Sequence, residues 1–144
     1  MPSVAPKAAT LSLFLDAQGK ESKLAGQGYL APSVPGTVAG FAMAHKKFGK
    51  LAWADVVAPA IALARDGVTL SPDEAFVFGW GKERLSTSAA AKLAYFKADG
   101  ALYRAGETLK QPDLAWTLTQ IAERQADGFY KGPVAERIVA DMKA

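Results

Sequence analysis

Apolar residues recur at helical spacing along most of the chain after residue 36. Starting at Thr37, three- and four-residue steps place on one face Val38, Phe41, Ala42, His45 and Phe48. We expect Thr37 to cap this helix and Gly49 to take the left-handed position that closes it.

A second amphipathic helix follows, with Trp53, Val56, Val57, Ala60, Ile61 and Ala64 on its apolar stripe. Pro59 interrupts this pattern, because proline lacks an amide hydrogen and its ring meets the carbonyl of Asp55. The sequence therefore predicts either a kink at Asp55–Val56 or a helix that begins near Ala58.

Further helices are indicated by their start signals. Ser71-Pro-Asp-Glu74 has the spacing of a capping box with proline at the first helical position. Ala89 to Phe96 predicts a short helix. Gln111-Pro-Asp113 opens the next one, which Asp127-Gly128 is predicted to close, and Gly132-Pro133 opens the last.

Signals for strands are sparse. Leu11, Leu13 and Leu15 alternate with other residues, which is typical of a short strand or of one helical turn. Asp99-Gly100 is a tight-turn signal that fits a small hairpin and a helix–loop connection equally well. The predicted fold class is mainly α with at most short strands or a small hairpin. We expect a single partial domain over 1–144, with an irregular segment at 1–34 and a helical portion at 35–144.

Composition and charge exclude several classes of protein. The chain has 144 residues, 50% of them hydrophobic, and a net charge of +3 without any clustered basic run that would predict nucleic-acid binding. It has no cysteine and one histidine, which excludes disulfides and multi-histidine metal sites within one chain. No apolar run is long enough to predict a membrane span, and residues 1–10 lack the core of a signal peptide.

Few residues of the sequence are candidates for a catalytic or binding role. His45 lies on an apolar helix face without a nucleophile motif nearby, so we interpret it as a buried or half-buried structural histidine rather than a general base. The carboxylates lie almost entirely at predicted helix ends, where capping and dipole pairing explain them: Asp55, Asp66, Asp73, Glu74, Asp113, Asp127 and Glu136. The sequence predicts no catalytic, substrate-binding or metal-binding residue and no cofactor.

Several segments together nevertheless resemble one enzyme family. They are Val34-Pro-Gly-Thr-Val-Ala-Gly40, Ala44-His45, Phe48-Gly49, Trp53, Ala58-Pro-Ala-Ile61, Leu63-Ala64, Gly67, Gln111-Pro-Asp-Leu-Ala115, Thr117-Leu118, Ile121-Ala122, Phe129-Tyr-Lys-Gly132 and Ala135. In order and spacing they resemble the large subunit of γ-glutamyltransferases over nearly the whole chain.

The resemblance implies an N-terminal-nucleophile hydrolase with a four-layer αββα sandwich, made as one precursor that cleaves itself into a large and a small subunit. The new N-terminal threonine of the small subunit attacks the γ-glutamyl carbonyl of glutathione, and the acyl group passes to water or to an amino acid or peptide. The implied partners are the rest of the large subunit and the threonine-bearing small subunit. Bacterial relatives are often periplasmic or secreted.

Departures from the family pattern limit what carries over. The family's substrate-binding arginine would stand two residues ahead of the segment corresponding to Val4-Ala-Pro6, where this chain has Pro2, and no arginine precedes Arg65. Gln125 stands where the family usually has glycine. We therefore interpret Pro35-Gly36 as a turn and helix start, and Phe129-Tyr130 as an anchor that packs the last helix.

Two main hypotheses follow. The first is a middle portion of the large subunit, inactive alone because it lacks the nucleophile, the oxyanion donors and the arginine clamp. The second is a stand-alone helical interaction module descended from that enzyme. The apolar stripes favour the first, because a dedicated module would have replaced surface apolar positions with polar ones. A basic nucleic-acid or membrane-surface binder is a third, less favoured alternative.

Overall fold

A computed structural model describes residues 6–22, 26, 28–29 and 31–143. These residues form a mainly helical structure, which confirms the predicted fold class. The helices are α1 (Thr37–Phe48), α2 (Trp53–Asp66), α3 (Pro72–Leu85), α4 (Ala89–Tyr95), α5 (Pro112–Arg124), α6 (Asp127–Tyr130) and α7 (Pro133–Lys143). Two short strands, β1 (Val68–Thr69) and β2 (Thr108–Leu109), pair antiparallel.

The chain divides into two compact units. The first comprises residues 1–50 and 124–144 and contains α1, α6 and α7. The second comprises residues 51–123 and contains α2, β1, α3, α4, β2 and nearly all of α5. The predicted organisation into 1–34 and 35–144 stays a prediction.

Helix α1 has the predicted bounds, but both predicted end residues behave differently. Gly36 is the N-cap and Thr37 is the first helical residue, so the prediction that Thr37 caps the helix is wrong. Gly49 is extended, with φ −66° and ψ 138°, so the predicted left-handed closure is also wrong. A Cβ at Gly49 would lie 2.6 Å from His45 Nε2. The His45 carbonyl oxygen would lie equally close, at 2.6 Å. Close approach of the His45 ring and backbone, rather than a positive φ, therefore favours glycine there.

Helix α2 runs through Pro59 without a break in its helical assignment. The alternative in which the helix begins near Ala58 is therefore wrong. The first turn is closed by the amides of Asp55 and Val56, which both donate to the carbonyl of Ala52 at 3.1 and 3.2 Å. Because the missing amide of Pro59 removes only one bond from the ladder, the flanking turns can hold the helix together.

Helix α3 begins with the predicted capping box. Ser71 Oγ accepts a hydrogen bond from the amide of Glu74 at 3.3 Å, and Glu74 Oε2 accepts one from the amide of Ser71 at 2.8 Å. The helix continues past Gly79 and Gly81 to Leu85. Helix α4 confirms the predicted short helix, and its Tyr95 ring lies 5.4 Å from the ring of Phe78 in α3.

The regions with ambiguous strand signals form turns with single bridges. Leu11–Phe14 is one 3₁₀ turn, and Leu15 forms an isolated antiparallel bridge with Glu21. At Asp99-Gly100 the chain makes a tight turn, with Gly100 at φ 79°, closed by one bridge between Phe96 and Leu102. The paired strands are elsewhere in the sequence, since β1 precedes α3 and β2 follows α4. Val68 of β1 lies opposite Leu109 of β2.

Helix α5 begins at Pro112, which follows the predicted start signal, and ends at Arg124. The prediction that Asp127-Gly128 closes it is wrong. Gln125 takes a left-handed conformation with φ 54°, which ends the helical ladder before that point. Asp127–Tyr130 is a separate single turn, and α7 then begins at Pro133 as predicted.

The apolar core of the described residues is small. Six hydrophobic residues are buried, and four of them are alanines or come from the short strands and their flanks: Ala64, Leu70, Leu109, Ala115, Ile121 and Val134. Many large apolar side chains stay exposed, including Phe41, Phe48 and Trp80 at 65%, 72% and 86%. Among the described residues, none of the helices combines the length and apolarity needed to cross a membrane.

Candidate functional site: a tyrosine tether at the start of the first helix

Two of the sequence motifs that carried the family resemblance meet in the first unit. The hydroxyl of Tyr130, in α6, donates a hydrogen bond to the carbonyl of Pro35 at 2.6 Å. The same hydroxyl accepts a bond from the amide of Ala39 at 3.3 Å. We call this arrangement of Pro35, Ala39 and Tyr130 the tyrosine tether.

The tether performs the work of a helix cap. The first amides of a helix have no partner within the helix, and a serine, threonine or aspartate at the N-cap usually accepts from one of them. Gly36 occupies the N-cap of α1 and has no side chain to do so. Tyr130, 91 positions away from Ala39, supplies the missing acceptor. This pairing was not predicted from the sequence. The only local signal for it was a glycine, which has no capping side chain, at the start of the helix.

The short helix α6 holds Tyr130 in place. The Phe129 ring packs edge-on against the Tyr130 ring, with centroids 5.0 Å apart and planes at 78°. Lys131 Nζ pairs with the carboxylate of Asp127 at 3.0 Å. Gly132 then turns the chain into α7 with φ 64°. The structure thus places the Phe129-Tyr130 anchor against the start of α1.

A second tether lies in the second unit. The indole Nε1 of Trp53, the first residue of α2, donates to the carbonyl of Ile121 at 2.8 Å. Ile121 lies in the last turn of α5, where helix carbonyls lack partners within the helix. The amide of Gln111 also donates to the carbonyl of Ala64 at 2.8 Å. These bonds fasten α2 at both ends to the segment 111–121.

His45 lies half-buried in the last turn of α1, with its ring close to Gly49. This placement fits the interpretation as a structural histidine, and its role stays a prediction. The basic residues Lys46 and Lys47 share that last turn, where cations interact favourably with the helix dipole.

Two carboxylates have lowered pKa values because they accept hydrogen bonds in local turns. The Lys97 ammonium, 2.9 Å from the Glu107 carboxylate, lowers the pKa of Glu107, and the backbone amide of Arg104 acts in the same direction. The backbone amide of Ser71, followed by its hydroxyl, lowers the pKa of Glu74. Both carboxylates are explained by local structure and need no catalytic role.

Within the described ranges, no polar or charged residue is buried, and no group of three histidine or carboxylate side chains could hold a metal ion. An apolar groove of about 400 Å³ in the second unit is lined by residues that include Leu63, Phe78 and Leu118. Pro2, Ser3 and Val4, where the family arginine and its neighbouring segment would stand, lie outside the described residues.

Sequence comparison assigns the family. The γ-glutamyltranspeptidase family model matches residues 1–144. The glutathione hydrolase proenzyme of Pseudomonas sp. (strain A14) is 40% identical over 141 residues, and that of Escherichia coli (strain K12) is 41% identical over 142 residues. Each alignment covers 97% of this chain and 24% of the relative. The chain therefore spans about a quarter of the length of these relatives.

Solved structures agree with this assignment. The Helicobacter pylori γ-glutamyltranspeptidase superposes with a TM-score of 0.95 at 42% identity, covering 98% of this chain and 41% of that chain. The Bacillus anthracis transpeptidase CapD superposes with a TM-score of 0.70 at 35% identity, covering 77% of this chain and 38% of that chain. The described helices are thus the helical part of an N-terminal-nucleophile hydrolase fold. The chain belongs to the γ-glutamyltranspeptidase family.

Proposed function

We propose that this chain supplies helical scaffold of the large subunit in a two-subunit γ-glutamyltranspeptidase, and that it carries no reaction centre of its own. In the complete enzyme, the N-terminal threonine of the small subunit attacks the γ-glutamyl carbonyl of glutathione. Its α-amine takes the hydroxyl proton, the amide bond to the cysteine amine breaks, and the acyl group then passes to water or to an amino acid or peptide acceptor. The observation that carries the proposal is the family match over all 144 residues.

The exposed apolar faces support a scaffold role within a larger protein. Phe41 and Phe48 lie seven residues apart on α1 and are 65% and 72% exposed. Val56 and Leu63 lie seven residues apart on α2 and are 50% and 56% exposed. Soluble monomers seldom expose contiguous apolar faces on successive helices. This favours a piece that other polypeptide covers over the stand-alone interaction module.

A chimera tests the proposal. The quarter of the Escherichia coli relative that matches this chain is replaced by residues 1–144, and self-cleavage and release of a chromogenic γ-glutamyl anilide are measured. We expect the chimera to cleave itself, because the scaffold is supplied. Turnover should stay low until Pro2→Arg restores the guanidinium that forks onto the substrate α-carboxylate.

Pro2→Lys is the matched control, because it restores the charge without the forked geometry and should rescue turnover far less. The isolated chain should give no turnover above background. Two results would refute the proposal: turnover by the isolated chain that one substitution within it abolishes, or a folded chimera that never cleaves itself.

A further inference from the structure

Aspartate followed by glycine is a chemically labile pair, and this chain has three such pairs: Asp66-Gly67, Asp99-Gly100 and Asp127-Gly128. In each pair the glycine amide nitrogen is a potential nucleophile toward the aspartate side-chain carboxyl carbon, because glycine has no side chain to shield the amide and lets the backbone rotate. The chain contains no asparagine, so deamidation cannot supply the same product. The three pairs differ in how tightly the structure holds the reacting groups.

The first pair is held at the end of a helix. Asp66 is the last residue of α2, and the amide of Gly67 donates to the carbonyl of Leu63 at 3.0 Å. The Arg65 guanidinium donates to both carboxylate oxygens of Asp66 at 2.8 Å, and these bonds lower the pKa of Asp66. The Thr108 methyl group occupies the space beside Gly67. An ionised and paired carboxylate is a poor target for a nucleophile, so this arrangement suppresses the reaction at Asp66.

The third pair lies within a helical turn. Asp127 is the first residue of α6, and the amide of the buried Gly128 donates to the carbonyl of Gln125 at 3.1 Å. Lys131 Nζ pairs with the Asp127 carboxylate at 3.0 Å. The Gly128 amide can turn toward that carboxylate only if α6 opens, and local opening of packed structure costs free energy. The folded chain therefore suppresses the reaction at Asp127 as well.

Asp99-Gly100 lies in a tight turn outside the helices, where Ala98, Asp99 and Gly100 are all exposed. Gly100 has φ 79°, and among the described residues nothing lies within 4 Å of a Cβ built on it. Asp99 Oδ1 accepts from the amide of Ala101 at 2.9 Å, which turns the carboxyl group back along the peptide that follows it. The Gly100 amide donates to the carbonyl of Lys97 at 2.8 Å, and such a bond in an exposed turn opens more readily than one inside a helix.

We propose that Asp99 is the site at which this chain forms isoaspartate. The Gly100 amide nitrogen forms a bond to the side-chain carboxyl carbon, Cγ, of Asp99, and the amide hydrogen and the carboxyl hydroxyl leave together as water. Water then hydrolyses the resulting succinimide. Cleavage between the nitrogen and Cγ restores aspartate, whereas cleavage between the nitrogen and the main-chain carbonyl carbon leaves the chain linked through Cγ. The sequence of steps involves no oxidation or reduction.

The altered linkage changes the turn around it. The backbone becomes longer by a methylene group and gains a free α-carboxylate. The amide of Lys97 donates to the carbonyl of Ala101 at 2.8 Å, and an isolated bridge joins Phe96 to Leu102. Both contacts depend on the length of the chain between them, so we expect the modified turn to lose them. The ion pair of Lys97 with Glu107, which is 2.9 Å long, then loses its support.

Peptide mapping measures the product at each pair. The folded 144-residue chain is incubated at near-neutral pH and digested, and an isoaspartyl methyltransferase with S-adenosylmethionine labels the isoaspartyl peptides. We expect at least about tenfold more isoaspartate at Asp99 than at Asp66 or Asp127, because the other two react only after local opening. In urea, which removes the structural difference, the three pairs should react alike. The chimera with the Escherichia coli relative is mapped in the same way, and circular dichroism checks that both proteins are folded.

Substitutions provide the second arm. Asp99→Glu keeps the charge but requires a larger ring that forms more slowly, so it should remove most of the product. Asp99→Asn should accelerate formation, because a neutral side-chain amide is attacked more readily than an ionised carboxylate. Asp127→Glu is the matched control, since it alters another pair of the same type and should leave the total nearly unchanged. Isoaspartate that is absent from Asp99 or spread evenly over the three pairs in the folded proteins would overturn the proposal, as would a total that Asp127→Glu lowers as much as Asp99→Glu does.

Discussion

At the scale of single residues, a few side chains connect segments that are far apart in sequence. Tyr130 bonds Pro35 and Ala39 across more than ninety positions, and Trp53 bonds Ile121 across 68. The Ala39 amide and the Ile121 carbonyl are backbone groups in the first and last turns of helices, where partners inside the helix are missing. These residues therefore hold the start of α1 and the last turn of α5 against distant segments of the chain.

Tyr130→Phe should lower the free energy of unfolding by about 1–2 kcal/mol, because it removes two hydrogen bonds and leaves the start of α1 uncapped. Urea denaturation monitored at 222 nm measures the change. Tyr103→Phe is the control, since the Tyr103 hydroxyl has no hydrogen-bond partner among the described residues. Equal effects of the two substitutions would mean that the tether contributes nothing to stability.

Gln125 has the only positive φ among the described residues other than glycine, at 54°. A side chain in this conformation costs about 1 kcal/mol, whereas glycine adopts it freely. We expect Gln125→Gly to raise the free energy of unfolding by about 0.5 kcal/mol, after the greater entropy of an unfolded glycine is offset. Thermal denaturation checks this, with Gln125→Ala as the control that keeps the strain. A destabilised Gln125→Gly would argue against strain at this position.

At the scale of elements, local sequence signals placed most of the helices, and contacts between segments modified their ends. The capping box of α3 and the proline starts of α5 and α7 depend on residues within one turn, so the sequence predicted them. Helix α1 closes with the amide of an extended Gly49 donating to the His45 carbonyl at 2.6 Å, and α5 ends before Gln125, which has a positive φ. Neither is a usual helix stop signal, so both ends were predicted incorrectly.

The junction between α2 and β1 offers a test at this scale. Gly67 has φ 103°, and a Cβ there would collide with the Thr108 methyl group and lie 2.9 Å from Lys110 Cγ. Gly67→Ala should therefore lower the free energy of unfolding by about 2 kcal/mol or more and disturb the β1–β2 pairing.

Gly79→Ala is the matched control for that substitution. Gly79 lies inside α3 with nothing within 4 Å of a built Cβ, so alanine should stabilise the helix by about 1 kcal/mol. Chemical denaturation of both variants gives opposite signs if the argument holds. A loss of stability in both variants, of similar size, would contradict it.

At the scale of the whole molecule, the exposed apolar side chains are the dominant feature. They lie on helices of both units, and the chain matches about a quarter of the length of its relatives. Burial of such surface is the main favourable term in folding and association. In our proposal, other polypeptide of the complete enzyme covers the exposed faces of α1 and α2.

Phe41→Ser distinguishes the isolated chain from the complete protein. Since Phe41 is 65% exposed, its loss should change the free energy of unfolding of the isolated chain by no more than about 0.5 kcal/mol and should reduce binding of a hydrophobic dye. In the chimera with the Escherichia coli relative, the same change should impair assembly and self-cleavage. Equal tolerance in both proteins would show that the Phe41 face is not an assembly surface.

The sequence by itself determined the mainly helical class, the starts of α3, α5 and α7, and the family. Helix caps, apolar periodicity and ordered motifs are all properties of short segments, so the sequence is enough to recognise them. It also predicted that no catalytic side chain lies in this chain. Only the tertiary structure decided that Tyr130 caps α1, that Trp53 meets the end of α5 and that Trp80 stays exposed. Those features depend on which distant segments come together and on which surfaces are left uncovered, and local patterns do not encode either.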